Sequence, residues 1–148
     1  MAYSIAKENE NNCFPVPSRV AEKLLKMYSA TGISYQLRID DVGIPYSKAT
    51  SIALVINELL SNCVKHAFPD GWEDRRVNIS CQHESGDILL RVQDNGVGLP
   101  EGFDPSGSDS LGISIMQTIV ESFYGTLTFQ NDHGVSVIIR MPARKMYS

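Results

Sequence analysis

From Ile33 onward the hydrophobic positions fall on every second residue, with Ile33, Tyr35, Leu37 and Ile39 alternating with Ser34, Gln36 and Arg38. That period predicts a half-buried strand. Upstream the spacing is helical: Val20, Leu24 and Tyr28, with Leu25 alongside, share one face of a segment that opens at Pro17 and Ser18 and stops at Gly32. Asp40 to Pro45 reads as a turn. Ser47 to Ala67 is the clearest helix, because Ile52, Ile56, Leu59, Leu60, Cys63 and Ala67 recur along one stripe, the expected core face. After a loop from Phe68 to Asp74 come two alternating segments, Val77 to His83 and Ile88 to Gln93, joined by a tight turn at Ser85 and Gly86. His83 follows the inward alternation of its strand and His133 sits in a turn, so both read as structural residues. A glycine-rich stretch, Asp94 to Gly112, leads into a second helix from about Leu111 to Tyr124, which buries Met116, Ile119, Val120 and Phe123 and takes Gly125 as its left-handed stop. The last two strands, Thr126 to Gln130 and Val135 to Met141, flank a turn of Asn131, Asp132, His133 and Gly134.

The order helix, strand, helix, hairpin, loop, helix, hairpin predicts an α/β fold, a two-layer sandwich with helices on one face of a mixed sheet. With 148 residues, 43% of them hydrophobic, the chain supports one core. Residues 1–15 are polar and lack an apolar period, so they read as a flexible lead to one domain spanning 16–148. The net charge is −4 with no long block of like charge, which argues against nucleic acid and against direct membrane contact. No apolar run approaches the roughly 20 residues of a membrane span, and no secretory signal opens the chain. Cys13, Cys63 and Cys81 are scattered and read as reduced thiols of a cytoplasmic protein, two of them in the core.

Three places hold candidate chemistry. Opposite the apolar stripe of the long helix, Glu58, Asn62 and Lys65 follow one another at spacings of four and three, with His66 four residues beyond Asn62. Polar groups on an outer helix face are ordinarily a solvated surface, yet a carboxylate, a neutral oxygen ligand and a cation together are what phosphoryl transfer asks for. Asp94-Asn95-Gly96-Val97-Gly98-Leu99-Pro100 ends a strand and reads alone as a tight turn. The segment Gly98 to Leu111 that follows is longer than a plain connection and ends at Ser110-Leu111-Gly112, a helix start with free amides. By itself Ser110 is an N-cap.

In this order the pieces resemble the ATP-binding Bergerat fold shared by gyrase, histidine kinases and MutL. Asn57 to Phe68 looks like its N box, Asp94 to Pro100 like the first glycine box, Ser110 to Ile113 like the second, and Gly134 with the strand ending in Met141-Pro142 like its closing segment. The wording NELLSNCVKHAFPDG, DNGVGLPEGFDP and SLGI is most similar to the catalytic domains of sensor histidine kinases of the HisKA_2 or HWE type.

The resemblance implies that Asn62 ligates Mg²⁺, that Lys65 and His66 face the phosphates of ATP, and that Glu58 stands where relatives keep a water-activating base. It implies that Asp94 accepts from the adenine amine, that Gly96 and Gly98 let the backbone pass close to the nucleotide, and that Gly98 to Leu111 is a short ATP lid ending at Leu111 and Gly112 beside the phosphates. Ser110 departs from a glycine common in the family. Val135 stands where a threonine often lies near the adenine, so that contact is lost or passes to Ser136. No histidine lies in a phospho-accepting helix, so the γ-phosphoryl would go to a histidine on a separate dimerisation domain and from there to a response regulator. The implied setting is a cytoplasmic domain, in a full-length protein that is free or membrane-tethered. An anti-sigma-factor-like serine kinase of the same fold, or an ATP-gated binding module without catalysis, fits the same motifs.

Overall fold

A computed structural model describes residues 13–14, 26, 31–40, 44–107 and 110–146. The helix expected between Pro17 and Tyr28 lies, but for Lys26, outside the described residues. In chain order the elements are β1 (Cys13–Phe14), β2 (Ser34–Ile39), β3 (Ile44–Pro45), α1 (Tyr46–Asn62), a π-helical turn (Cys63–Ala67), β4 (Arg76–Glu84), β5 (Asp87–Asp94), a 3-10 turn (Pro105–Gly107), α2 (Leu111–Ser122), β6 (Thr126–Asn131), β7 (Val135–Pro142) and α3 (Ala143–Met146). Within the segment read as a loose lead, Cys13 and Phe14 pair antiparallel with Pro45 and Ile44.

The main sheet has the order β2-β4-β5-β7-β6, parallel between β2 and β4 and antiparallel elsewhere. Period-two alternation sends Val77, Ile79 and Cys81 of β4, Ile88, Leu90 and Val92 of β5, and Val137, Ile139 and Met141 of β7 to one face. There they meet Ile52, Val55, Ile56, Leu59 and Leu60 of α1 and Ile113, Met116 and Val120 of α2 in a single core. The opposite face carries Asn78, Ser80, Gln82, Arg91 and Gln93, so the sheet has one dry side, as a two-layer α/β sandwich requires.

Three local expectations change. His83 is exposed: on one side of β4 the strand β2 ends at Ile39, opposite Cys81, while on the other side β5 still pairs with β4 as far as Glu84. At the end of α2 the left-handed residue is Tyr124, with φ of 58°, and not Gly125. Gly125 donates to Val120 O and Tyr124 to Glu121 O, both at 2.9 Å, the paired bonds of a Schellman ending. The glycine is needed for space, since a Cβ on Gly125 would lie 2.6 Å from the carbonyl oxygen of Arg140. Beyond the last strand, α3 buries Met146 completely, and Lys48 Nζ donates to the carbonyls of Lys145 and Met146 at 2.7 and 2.6 Å. One turn of helix is too short to show a period in the sequence.

Candidate functional site

A cavity of about 400 Å³ opens between the C-terminal end of α1, the ends of β5 and β7, and the segment that joins β5 to α2. Its walls are mostly apolar, with Leu59, Ala67, Val92, Ile113, Phe129 and Val137 among them. Asp94 lies on this wall although it is only 6% exposed. Its Oδ1 accepts from the amides of Gly96 and Val135 at 2.9 and 3.0 Å, which fixes the carboxylate in one orientation. Its Oδ2 has the Cys63 thiol as donor at 3.8 Å. Burial, and then the negative charge of Asp94, push the Cys63 thiol well above the usual range, so sulfur keeps its proton and remains a weak donor. A carboxylate oxygen thus remains available to a ligand donor inside an apolar pocket, the arrangement that discriminates strongly between donor and acceptor edges.

The π-helical turn decides which polar residues of α1 reach the cavity. Its i→i+5 bonds widen the turn and reduce the rotation per residue, a feature common at functional sites. Asn62 and His66 both line the cavity, whereas Lys65 is exposed and outside it, so the stripe expected from regular α spacing divides at this point. Glu58, half-buried one turn earlier, does not line the cavity either. Its Oε2 lies against Gly112, so close that a Cβ there would collide with it. Glu58 therefore sits at the N-terminal end of α2, where a helix favours negative charge. Ser110 lines the cavity and caps α2 by accepting from Ile113 N at 3.4 Å. Leu111 points outward and is 75% exposed.

Gly96 packs against the carbonyl of Ala67, which also accepts from Val97 N at 2.9 Å, so the strand end is stitched to the π turn without room for a side chain. Gly98 follows with φ of 83° and lines the cavity. Leu99, Pro100 and Phe103 continue the wall. Leu99 N donates to Asn131 Oδ1 at 2.6 Å, and the rings of Phe103 and Phe129 meet at 5.4 Å between centroids. Of the segment expected as a lid, residues 98–107 carry a turn at Glu101 and Gly102 and the 3-10 turn after it, while Ser108 and Asp109 lie outside the described residues.

Ser136 is turned away. Val135 and Val137 line the cavity, so alternation sends the buried Ser136 to the other face, where its hydroxyl accepts from Arg91 Nε at 2.8 Å. At this position the strand offers Asp94 the backbone amide of Val135 instead of a side-chain hydroxyl. Asn131, Phe129 and Cys63 were not legible as site residues: an asparagine before a glycine turn reads as turn chemistry, and an aromatic in a strand or a cysteine on an apolar stripe reads as core.

The family described as histidine kinase-, DNA gyrase B- and HSP90-like ATPases matches residues 47–145. The sensor histidine kinase PdtaS of Mycobacterium tuberculosis is 35% identical over 109 residues, covering 71% of this chain and 22% of that protein. PdtaS of Mycolicibacterium smegmatis is 31% identical over 148 residues, 95% of this chain and 29% of that protein. The chain thus spans less than a third of the length of these relatives. Among solved structures, the histidine kinase domain of the Erythrobacter litoralis EL346 blue-light activated histidine kinase superposes with a TM-score of 0.80 at 25% identity, covering 90% of this chain and 64% of that one. Matched by the family model over residues 47–145 and in fold across nearly its whole length, the chain belongs to the histidine kinase-, DNA gyrase B- and HSP90-like ATPases, as an ATPase domain of the sensor histidine kinase type.

Proposed function

We propose that this domain binds Mg-ATP in the cavity above Asp94 and presents the γ-phosphoryl group to a histidine on a separate dimerisation domain, from which a response regulator receives it. The observation that carries the reading is the buried Asp94 carboxylate on the wall of the apolar cavity, locked by two amides through one oxygen and met at the other by no stronger donor than the Cys63 thiol. Adenine offers that oxygen an amine. Guanine would offer a carbonyl in the same place, leaving two acceptors face to face.

Asn62 lines the cavity and makes no side-chain hydrogen bond to another described residue, which leaves its amide oxygen for a metal. Among the described residues no group of three or more His, Cys, Asp or Glu side chains is placed to hold a metal ion. That suits Mg²⁺ held by one protein oxygen, with the rest of its shell drawn from phosphate and water. When bound, the ion would neutralise phosphate charge and orient the γ-phosphoryl group. His66 stands at the cavity, Ser110 and Gly112 mark the N-terminal end of α2, and Glu58 sits beside Gly112, where it would orient the metal or the acceptor. Lys65, exposed one step outside, would reach the phosphates only by extending its flexible stem over the rim. Among the described residues no helix is long and apolar enough to cross a membrane, in keeping with a domain that works in the cytoplasm.

The test has two arms. Titration calorimetry should give Mg-ATP binding well above that of Mg-GTP. Incubation with γ-labelled ATP should leave the isolated domain nearly unlabelled and should label a histidine-bearing dimerisation segment supplied separately. Equal binding of both nucleotides would remove Asp94 from base recognition, and transfer to serine in place of histidine would reassign the acceptor.

A further inference from the structure

The turn between β6 and β7 touches the cavity wall at two separate points. On one side Val135 N donates to Asp94 Oδ1, and Gly134 packs so tightly beneath Asp94 that a Cβ there would collide with its carbonyl. On the other side Asn131 Oδ1 accepts from Leu99 N at 2.6 Å. Gly98, with φ of 83°, brings its backbone so near that an added Cβ would lie 2.7 Å from the same oxygen. Between the two points Asp132 N donates to Gly134 O at 2.9 Å, which closes the turn on itself. The carboxylate at the cavity floor and the first residues of the segment that walls the cavity are therefore tied to one short piece of backbone. Phe129, two residues before Asn131, adds a ring contact to Phe103 in the same segment.

We propose that Asn131 is the positioning residue that couples the orientation of Asp94 to the placement of the 98–107 segment, so that both respond to a bound nucleotide as one unit. The inference rests on the nucleotide-binding reading above. Asn131 does not line the cavity; it acts through Leu99, and through Leu99 on Pro100 and Phe103, which do. Its carbonyl oxygen is the working element, because the bond it accepts is the one that fixes the root of the segment. Aspartate preserves that acceptor. Alanine removes it, and serine is too short to reach.

Asn131 is exposed, so Asn131→Ala should fold with an unchanged melting temperature. Hydrogen exchange should then show the Leu99 amide exchanging faster in Asn131→Ala and Asn131→Ser than in wild type or Asn131→Asp. Mg-ATP affinity should fall by about five- to tenfold in the alanine and serine variants, the scale of one ordinary hydrogen bond, and by less than about twofold in the aspartate variant. Wild-type affinity in Asn131→Ala, or equal losses in the alanine and aspartate variants, would overturn the coupling while leaving the nucleotide reading intact. Should Asn131→Ala fail to fold, the serine and aspartate pair carries the same comparison. Absence of Mg-ATP binding in the wild-type domain would instead overturn the nucleotide reading, and the coupling with it.

Discussion

The backbone amide of Val135 donates to Oδ1 of Asp94 at 3.0 Å, so the start of β7 holds the carboxylate that ends β5. With Gly96 N as the second donor, Oδ1 is engaged by two amides, and Oδ2, whose donor is the weak Cys63 thiol, is the oxygen left for a ligand. Asp94→Asn separates these roles. An asparagine keeps an oxygen for the two amides and turns its NH₂ to the cavity, where it opposes the adenine amine. The expected result is an unchanged thermal midpoint with a loss in ATP affinity of about 1.5–3 kcal/mol, the scale of a hydrogen bond to a charged group. Calorimetry and a melting curve decide it: normal ATP binding by the variant would place the base elsewhere.

The architecture was legible wherever burial imposes a period. The hairpin of β4 and β5 and the stripe of α1 follow from alternation and from 3.6-residue spacing, because a single core lies on one side of each. The cavity wall is legible where a motif carries its own geometry: Asp94 and Gly98 lie on it, and Gly96 packs beside it against Ala67. It is not legible where the backbone departs from regular form. A π turn is invisible to an α-helical wheel, which puts Lys65 on one stripe with Asn62, whereas the widened turn separates them. Ser136 has the chemistry for an adenine contact but the wrong parity, since one step along β7 changes the face of the sheet. Asn131 owes its place to a contact 32 residues away in sequence, which no local pattern encodes.

Gly96 faces the carbonyl of Ala67 at a distance no Cβ tolerates, and both partners are backbone held by the Val97 N to Ala67 O bond of 2.9 Å. Gly96→Ala must move either the strand end or the π turn. Overpacking of this kind costs about 1–3 kcal/mol, enough to lower the melting temperature by several degrees. Gly107→Ala is the matched control, since its nearest neighbours are atoms of the Asp104 side chain at 3.5 Å or more. Equal melting temperatures for the two variants would mean that Gly96 has slack the packing does not show.

Asn62, on the cavity side of α1, makes no side-chain hydrogen bond to another described residue, which leaves its amide oxygen for the proposed Mg²⁺. Asn62→Ala should therefore weaken Mg-ATP by roughly tenfold or more while leaving ADP with a chelator nearly unchanged, because only the first measurement needs a metal ligand. Parallel titrations read the difference. Equal losses would show that the amide supports the base or the fold and not the ion.

The buried thiols of Cys63 and Cys81 give the domain an alkaline weakness whose sign follows from their surroundings. Burial, reinforced by the charge of Asp94, raises Cys63, and burial with the charge of Asp40 pushes Cys81 up to about 12, both from an ordinary value of 9.0. In the unfolded chain the thiols release protons near 9.0, whereas the folded chain keeps them. The folded state then binds more protons, so stability is fully present below the unfolded value and is lost as pH rises above it. Each thiol contributes a slope of up to about 1.4 kcal/mol per pH unit in that window. Urea unfolding of wild type, Cys63→Ala and Cys81→Ala from about pH 7 to about pH 10.5 should show a shallower alkaline decline in each variant, whatever its stability at neutral pH. Slopes are the quantity to compare, because removing sulfur from the core lowers all stabilities by a cavity cost that does not titrate. Parallel curves for all three proteins would mean that the thiols ionise as readily folded as unfolded, and that the environment of Asp94 is wetter than its burial shows.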